Sequence, residues 1–188
     1  NMAWGLGLGI IIDGNLYYGK SGFSGELGHF CMFENEVLCH CGKKGCLETE
    51  ASGSAFHRIL MERYREGSNT ILAGKLDSGE EISLGDLLEA VRKEDVLCID
   101  ILEKMGVNLG KGIAGLMNIF NPELVILGGT LSLAGEYISL PIKSAIRKYS
   151  LNLVNQDTEI KISKLGERAG SFGACLLSRS KLLGMIHY

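Results

Sequence analysis

The chain has 188 residues, 46% of them apolar and 22% charged, with 19 Lys+Arg against 22 Asp+Glu for a net charge of −3. That length supports one domain with a buried core. The charge balance excludes a strongly basic domain that coats nucleic acid, and no apolar run approaches the roughly 18 residues of a membrane-spanning helix. No basic leader precedes Ile10-Ile11-Ile12, so no signal peptide is expected.

Gly occurs 26 times and Pro only twice, which points to tight turns and close backbone approach rather than disorder. Met2–Ile12 is read as a strand in which Gly5, Gly7 and Gly9 alternate with Leu6 and Leu8. A turn at Asp13-Gly14 or Gly14-Asn15 returns it through Leu16-Tyr17-Tyr18, so the chain opens with a hairpin. An opening in mid-sheet is expected of a piece of something longer. Gly19–Cys46 is loop, rich in Gly and in metal-ligand residue types. Leu47–Arg65 is a helix with Ala55, Ile59 and Leu60 on one face, and Glu66–Glu80 is polar and turn-rich. Ser83 caps a short helix through Arg92.

Asp95–Phe120 reads as the longest helix, with Val96, Ile99, Leu102, Met105, Leu109, Ile113, Leu116 and Phe120 at helical spacing. Gly106, Gly110, Gly112 and Gly115 interrupt it, each costing about 1 kcal/mol of helix propensity. A closely packed backbone would account for them, as a subunit contact or within the chain. Asn121-Pro122 ends the helix, and Leu124–Leu127 is a short buried strand followed by Gly128-Gly129-Thr130. Ala134–Tyr149 is an amphipathic helix with a break expected at Pro141, Ile160–Ser163 a strand, and Ala169–Leu183 the closing helix. Strands alternating with helices argue an α/β fold, and no internal repeat is evident.

Three of the six cysteines crowd into Cys39–Cys46. The chain is too large to need disulfide staples, so a reducing cytoplasm and a metal site fit better. Cys39, Cys41, Cys46 and His29 suit a tetrahedral Zn²⁺, and Gly42 and Gly45 allow the sharp turn that faces the thiols to one point. Free or redox-active thiols beside an unrelated histidine are the alternative. His40 and Cys31 compete as fourth ligand; His40 lies between two ligands and points away if both bind. Cys98 and Cys175 fall in apolar helical patterns and read as small core residues.

These residues carry a resemblance. Gly25-Glu26-Leu27-Gly28-His29 followed by Cys39-x-Cys41-Gly42-x-x-Gly45-Cys46-Leu47-Glu48 resembles the ROK family of repressors, open reading frames and sugar kinases. Asn118-Ile-Phe-Asn121-Pro122, Val125-Ile-Leu-Gly128-Gly129 and Gly170-Ser-Phe-Gly173-Ala174 extend the likeness along essentially the whole chain. It implies the C-terminal lobe of an actin-like, ribonuclease-H-like two-lobed fold. Residues 1–188 would form this single lobe, with a zinc and sugar loop at about 19–48. The family's other lobe, with its Asp-x-Gly-x-Thr phosphate loop and catalytic Asp, and the winged helix-turn-helix of its repressors, are expected outside this sequence. The chain as given would then neither phosphorylate sugar nor bind DNA by the family's mechanisms.

The resemblance places Glu26, His29 and Glu48 at sugar-contacting positions and makes the zinc structural, closed by four protein ligands. Carboxylates accept hydrogen bonds from sugar hydroxyls. From the residues alone, Glu26 reads equally as a solvated loop acid and Glu48 as an acid favoured at a helix start. Gly5, Gly7 and Gly9 fall where kinase members carry Gly-Thr-Gly near the ATP phosphates, and Gly128 and Gly129 at a second nucleotide-side turn. The Thr position reads Leu6, as expected of the NagC/XylR-type repressor branch. Glycine spacing alone also fits tight strand packing, and Gly128-Gly129 a turn requiring φ > 0; Trp4 gives no separate clue.

The expected function is the sugar-sensing, effector-binding and oligomerisation domain of a ROK transcriptional regulator. The alternative is the C-terminal lobe of a sugar kinase such as a glucokinase, in which case alone ATP and Mg²⁺ are cofactors. A zinc-stabilised interaction domain without ligand is a third reading. Expected partners are a monosaccharide or amino-sugar effector and further copies in a homodimer or homotetramer. DNA would be reached only through a module outside this sequence, and a cytoplasmic location with no membrane contact is expected.

Overall fold

The computed structural model describes Asn1–Gly184. Helices and two small sheets form the fold: β1 (Ile11–Ile12), β2 (Asn15–Leu16), α1 (Glu48–Ala51), α2 (Gly53–Arg65), α3 (Ala73–Ser78), α4 (Leu84–Arg92), α5 (Val96–Phe120), β3 (Leu124–Leu127), α6 (Glu136–Tyr149), α7 (Asn152–Asp157), β4 (Glu159–Ile162) and α8 (Ala169–Leu182). β1 and β2 pair antiparallel over a turn in which Asp13 (φ 51°) and Gly14 (φ 77°) are both left-handed, as the hairpin reading expects. β3 and β4 pair parallel in the register Leu124↔Glu159 to Leu127↔Ile162. Among the described residues, no helix is long and apolar enough to cross a membrane.

The core is built on α5, which buries Leu97, Ile101, Leu102, Met105, Leu109 and Met117. Asp95 starts it. Its carboxylate accepts hydrogen bonds from the N–H of Cys98 at 2.9 Å and of Ile71 at 2.7 Å, and from the Thr70 hydroxyl at 2.8 Å, satisfying an otherwise open helix-end donor. Asn121, left-handed at φ 41°, stops it. α4 is opened by the reciprocal cap between Ser83 and Asp86.

α6 lies along α5 at the glycines. A Cβ on Gly106 would meet the Pro141 Cβ at 2.8 Å, and one on Gly110 the Ile142 carbonyl oxygen at 2.6 Å. These two glycines therefore serve an intrachain contact. The break expected at Pro141 is absent: α6 runs through it. The proline removes one donor to the Tyr137 carbonyl, and its ring rests where Gly106 leaves room.

Other expectations change as well. The strand Leu124–Leu127 is not buried as a whole: Leu127 is, while Leu124 and Ile126 are exposed. Met2–Ile12 is not one strand: Met2 bridges back to Leu6, because backbone groups a ladder would use are bonded elsewhere. The Met2 N–H donates to the Gly128 carbonyl at 2.7 Å and the Leu6 N–H to Glu48 at 2.8 Å. The helix read over Leu47–Arg65 splits at Ser52 (φ −112°, ψ 170°), whose hydroxyl accepts from the Ala55 N–H at 3.2 Å. The free N–H groups of Gly53 and Ser54 donate to the carbonyls of Ala3 at 2.8 Å and Trp4 at 3.0 Å. Cys98 is buried, but Cys175 is exposed, on a helix with no buried residue among those described. The short helices α3 and α7 carry too few residues for a periodic signal.

Candidate functional site

The loop after β2 folds on its glycines. Gly25, Gly42 and Gly45 adopt φ of 91°, 84° and 77°, a region open to glycine without strain. A Cβ on Gly45 would press on the Cys31 Sγ at 3.1 Å. Leu38 bridges to Lys44, and the Cys39 N–H donates to the Lys43 carbonyl at 2.8 Å. A knuckle results, with Cys39 and Cys46 buried and Cys41 on its outer side.

The donor atoms of His29, Cys39, Cys41 and Cys46 all lie within 4.8 Å of one another. Cys41 Sγ stands 3.7 Å from Cys46 Sγ, and Cys39 Sγ 3.6 Å from His29 Nδ1. Ligand bonds of zinc sites, arranged tetrahedrally, space two sulfurs by about 3.8 Å and a sulfur and nitrogen by about 3.6 Å. The four residues thus fit such an ion. Burial, reinforced by contacts with Cys41 and Cys39, pushes the Cys46 thiol up to about 12, whereas the Lys43 N–H draws the Cys41 thiol down. A bound dication would favour both thiolates.

Cys31 stands apart from the four, its thiol 3.6 Å from the Lys44 carbonyl. His40 turns to Glu48, with Nδ1 at 3.0 Å from Oε1. Glu26 Oε2 lies 3.7 Å from His29 Nε2, so the imidazole has a thiol at one nitrogen and a carboxylate near the other. Such a carboxylate is a common partner of a metal-binding histidine.

Glu48, the first residue of α1, is buried. Its Oε2 accepts the Leu6 N–H at 2.8 Å. A Cβ on Gly5 would come within 3.1 Å of that oxygen, and one on Gly28 within 2.6 Å of the Leu6 carbonyl oxygen and 3.3 Å of the carboxylate, so Gly5 is small beside Glu48 and Gly28 chiefly beside the Leu6 backbone. Glu48 and His40 line a cleft of about 500 Å³ together with Trp4, Thr49, Ser54 and Arg58. Trp4, which gives no clue in the sequence, and Arg58, which carries no motif, meet at the cleft where the start of α2 is bonded to Ala3 and Trp4.

The glycines assigned to nucleotide turns are placed differently from one another. Gly5 packs on Glu48. Gly7, Gly9 and Gly128 line an apolar groove with Ile113, Leu116 and Phe120. Gly129, at φ 92°, has the Met2 carbonyl oxygen 2.5 Å from where a Cβ would stand.

The chain matches known proteins along most of its length. The ROK family model matches residues 2–181. A glucokinase of Halalkalibacterium halodurans is 36% identical over 170 residues, covering 90% of this chain and 52% of its own. A xylose repressor of Caldicellulosiruptor bescii is 33% identical over 188 residues, covering 98% of this chain and 46% of its own. The crystal structure of a ROK glucokinase from Streptomyces griseus, in complex with glucose and AMPPNP, superposes with a TM-score of 0.83 at 31% identity, over 95% of this chain and 59% of that one. The chain spans about half the length of the curated relatives it matches. With the Gly25–His29 and Cys39–Glu48 motifs folded into one site and the match running nearly end to end, this chain belongs to the ROK family.

Proposed function

We propose that the chain is the sugar-sensing lobe of a ROK transcriptional regulator, the C-terminal half of a two-lobed, actin-like fold. Glu48 carries this reading: a buried carboxylate, anchored through one oxygen by Leu6, that lines an open cleft. Burying an acid is costly unless it is bonded, and a carboxylate held at a cleft offers a fixed acceptor for a sugar hydroxyl. His29, whose ring nitrogen lies within 4.8 Å of a Glu48 oxygen, and Glu26, 3.7 Å from His29, lie outside the cleft lining and would act as further hydroxyl partners. His29, Cys39, Cys41 and Cys46 would hold a structural Zn²⁺, whose contribution is to tie the knuckle together. Sugar binding would shift lobe closure and, with it, the spacing of DNA-binding heads carried elsewhere in the intact protein, as a dimer or tetramer.

The regulator is preferred because Leu6 offers no hydroxyl to a phosphate, and Gly7, Gly9 and Gly128 face apolar walls. The second reading, one lobe of an ATP- and Mg²⁺-dependent sugar kinase, is favoured by the glucokinase relative and by the glucokinase structure. Zinc analysis with calorimetric titration against monosaccharides tests the first reading. About one zinc per chain and selective sugar binding are expected; no heat with any monosaccharide overturns it. Sugar-dependent ATP turnover by the intact two-lobed protein would replace it with the second.

A further inference from the structure

We propose, resting on the zinc reading above, that Cys31 is a redox partner of Cys46: oxidation joins the two in a cross-strand disulfide and takes Cys46 out of the zinc set. Cys31 lies outside the four-donor group, and the backbone makes the pairing. Cys31 and Cys46 are opposite residues of an antiparallel bridge. The hydrogen bonds fall on their neighbours: the Leu47 N–H donates to the Phe30 carbonyl at 2.9 Å and the Met32 N–H to the Gly45 carbonyl at 2.8 Å. Cys31 and Cys46 are therefore a non-hydrogen-bonded pair. In such a pair opposite Cα atoms stand about 4.5 Å apart and both side chains rise from one face. A disulfide spans Cα atoms about 4.4–6.8 Å apart, so the backbone already meets its requirement.

The Cys31 sulfur is turned aside in this structure. It lies 3.6 Å from the Lys44 carbonyl oxygen, and a thiol is a weak donor to hold there. It also lies over Gly45, 3.1 Å from where a Cβ would stand. A turn about the Cys31 Cα–Cβ bond, past a residue without a side chain, brings the sulfur toward Cys46.

Exposure sets the order of events. Cys31 is exposed and Cys46 fully buried, so an oxidant in solution meets Cys31 first. With hydrogen peroxide, the Cys31 sulfur attacks one peroxide oxygen, the O–O bond breaks, and water leaves a sulfenic acid. The Cys46 sulfur then attacks the Cys31 sulfur, the S–O bond breaks, and a second water carries off the hydroxyl with the remaining thiol proton. Two thiols have given two electrons to one peroxide. His29, Cys39 and Cys41 are left as an incomplete set, and the knuckle loses the folding contribution of its ion. Cys41, with Sγ 3.7 Å from Cys46 Sγ, is the competing partner, but it is itself one of the four donors. Cys31 is the thiol of the knuckle that the ion leaves uncommitted.

The test exposes the zinc-loaded chain to hydrogen peroxide, reads zinc release with a chromogenic chelator, and maps disulfides after free thiols are blocked. Cleavage after Glu36 and after Lys44 puts Cys31, the pair Cys39 and Cys41, and Cys46 on three separate peptides. A Cys31–Cys46 bond is expected, with one zinc released per bond, reversed by dithiothreitol and added zinc. Cys31→Ser, whose hydroxyl forms no disulfide, should release zinc about tenfold more slowly, with zinc content and circular dichroism unchanged before oxidation. If Cys31→Ser fails to fold, the disulfide map of the parent chain still decides. Bonds from Cys46 to Cys41 or Cys39, with unchanged release in Cys31→Ser, overturn the proposal, as does zinc release without any bond to Cys31. A chain that binds no zinc yet forms the Cys31–Cys46 bond overturns the zinc reading and leaves the redox pair standing.

Discussion

Glu48 accepts the backbone N–H of Leu6 at 2.8 Å across 42 residues of chain. This bond joins the N-terminal segment to the cysteine loop and holds the carboxylate at the cleft. Gly5 leaves the carboxylate its space, and Gly28 lets the Leu6 backbone approach closely. It explains why an acid that reads locally as a helix-start residue is buried.

Glu48→Gln is expected to weaken sugar binding by about tenfold to a hundredfold, the worth of a hydrogen bond to a charged group, while zinc stays bound. Calorimetric titration with parallel metal analysis checks both halves. Unaltered sugar affinity would return Glu48 to a structural role beneath Leu6.

Cys41→Ala should abolish stoichiometric zinc and lower the melting temperature, because structural zinc contributes folding energy. Cys31→Ala should change neither, since its thiol faces the Lys44 carbonyl rather than the other donors. Elemental analysis of the two variants decides; zinc lost with Cys31 and kept with Cys41 would reassign the ligand set.

Gly110→Ala should destabilise the fold by about 1–3 kcal/mol through overpacking, despite a helix-propensity gain of about 1 kcal/mol. The new methyl would stand 2.6 Å from the Ile142 carbonyl oxygen and from the Ala145 Cβ. Gly115→Ala on the same helix meets nothing within 4 Å and should stabilise by up to about 1 kcal/mol. Thermal unfolding of the pair separates packing from propensity on one helix.

Asp95→Ala should cost about 2–3 kcal/mol, since it removes a buried cap that three donors share. Burial opposes ionisation of this carboxyl, yet the N–H groups of Cys98 and Ile71 and the Thr70 hydroxyl outweigh it and hold its pKa below the ordinary value. Its stabilisation is therefore present above the unfolded carboxylate range near pH 4 and is lost as pH falls through the lowered folded value. Urea unfolding from pH 7 downward should show a smaller acid loss in Asp95→Asn than in the parent chain; equal slopes would remove Asp95 as a source of acid sensitivity.

Features that depend on near neighbours are legible in the sequence. Asp13-Gly14 specifies its turn, Ser83 and Asp95 begin helices, Asn121 ends one, and the apolar spacing from Val96 to Phe120 spans a single helix. The grouping of the cysteines with His29, a set able to hold a metal ion, is legible because Gly42 and Gly45 fold the short loop that carries the thiols. Contacts between distant segments emerge on folding: Leu6 anchors Glu48, Trp4 shares a cleft with it, Ser52 breaks a helix so that Gly53 and Ser54 can bond Ala3 and Trp4, and Gly106 makes room for Pro141. Each of these satisfies a donor, or fills a gap, between segments more than thirty residues apart, and neither helical nor strand periodicity reports on a partner at that distance.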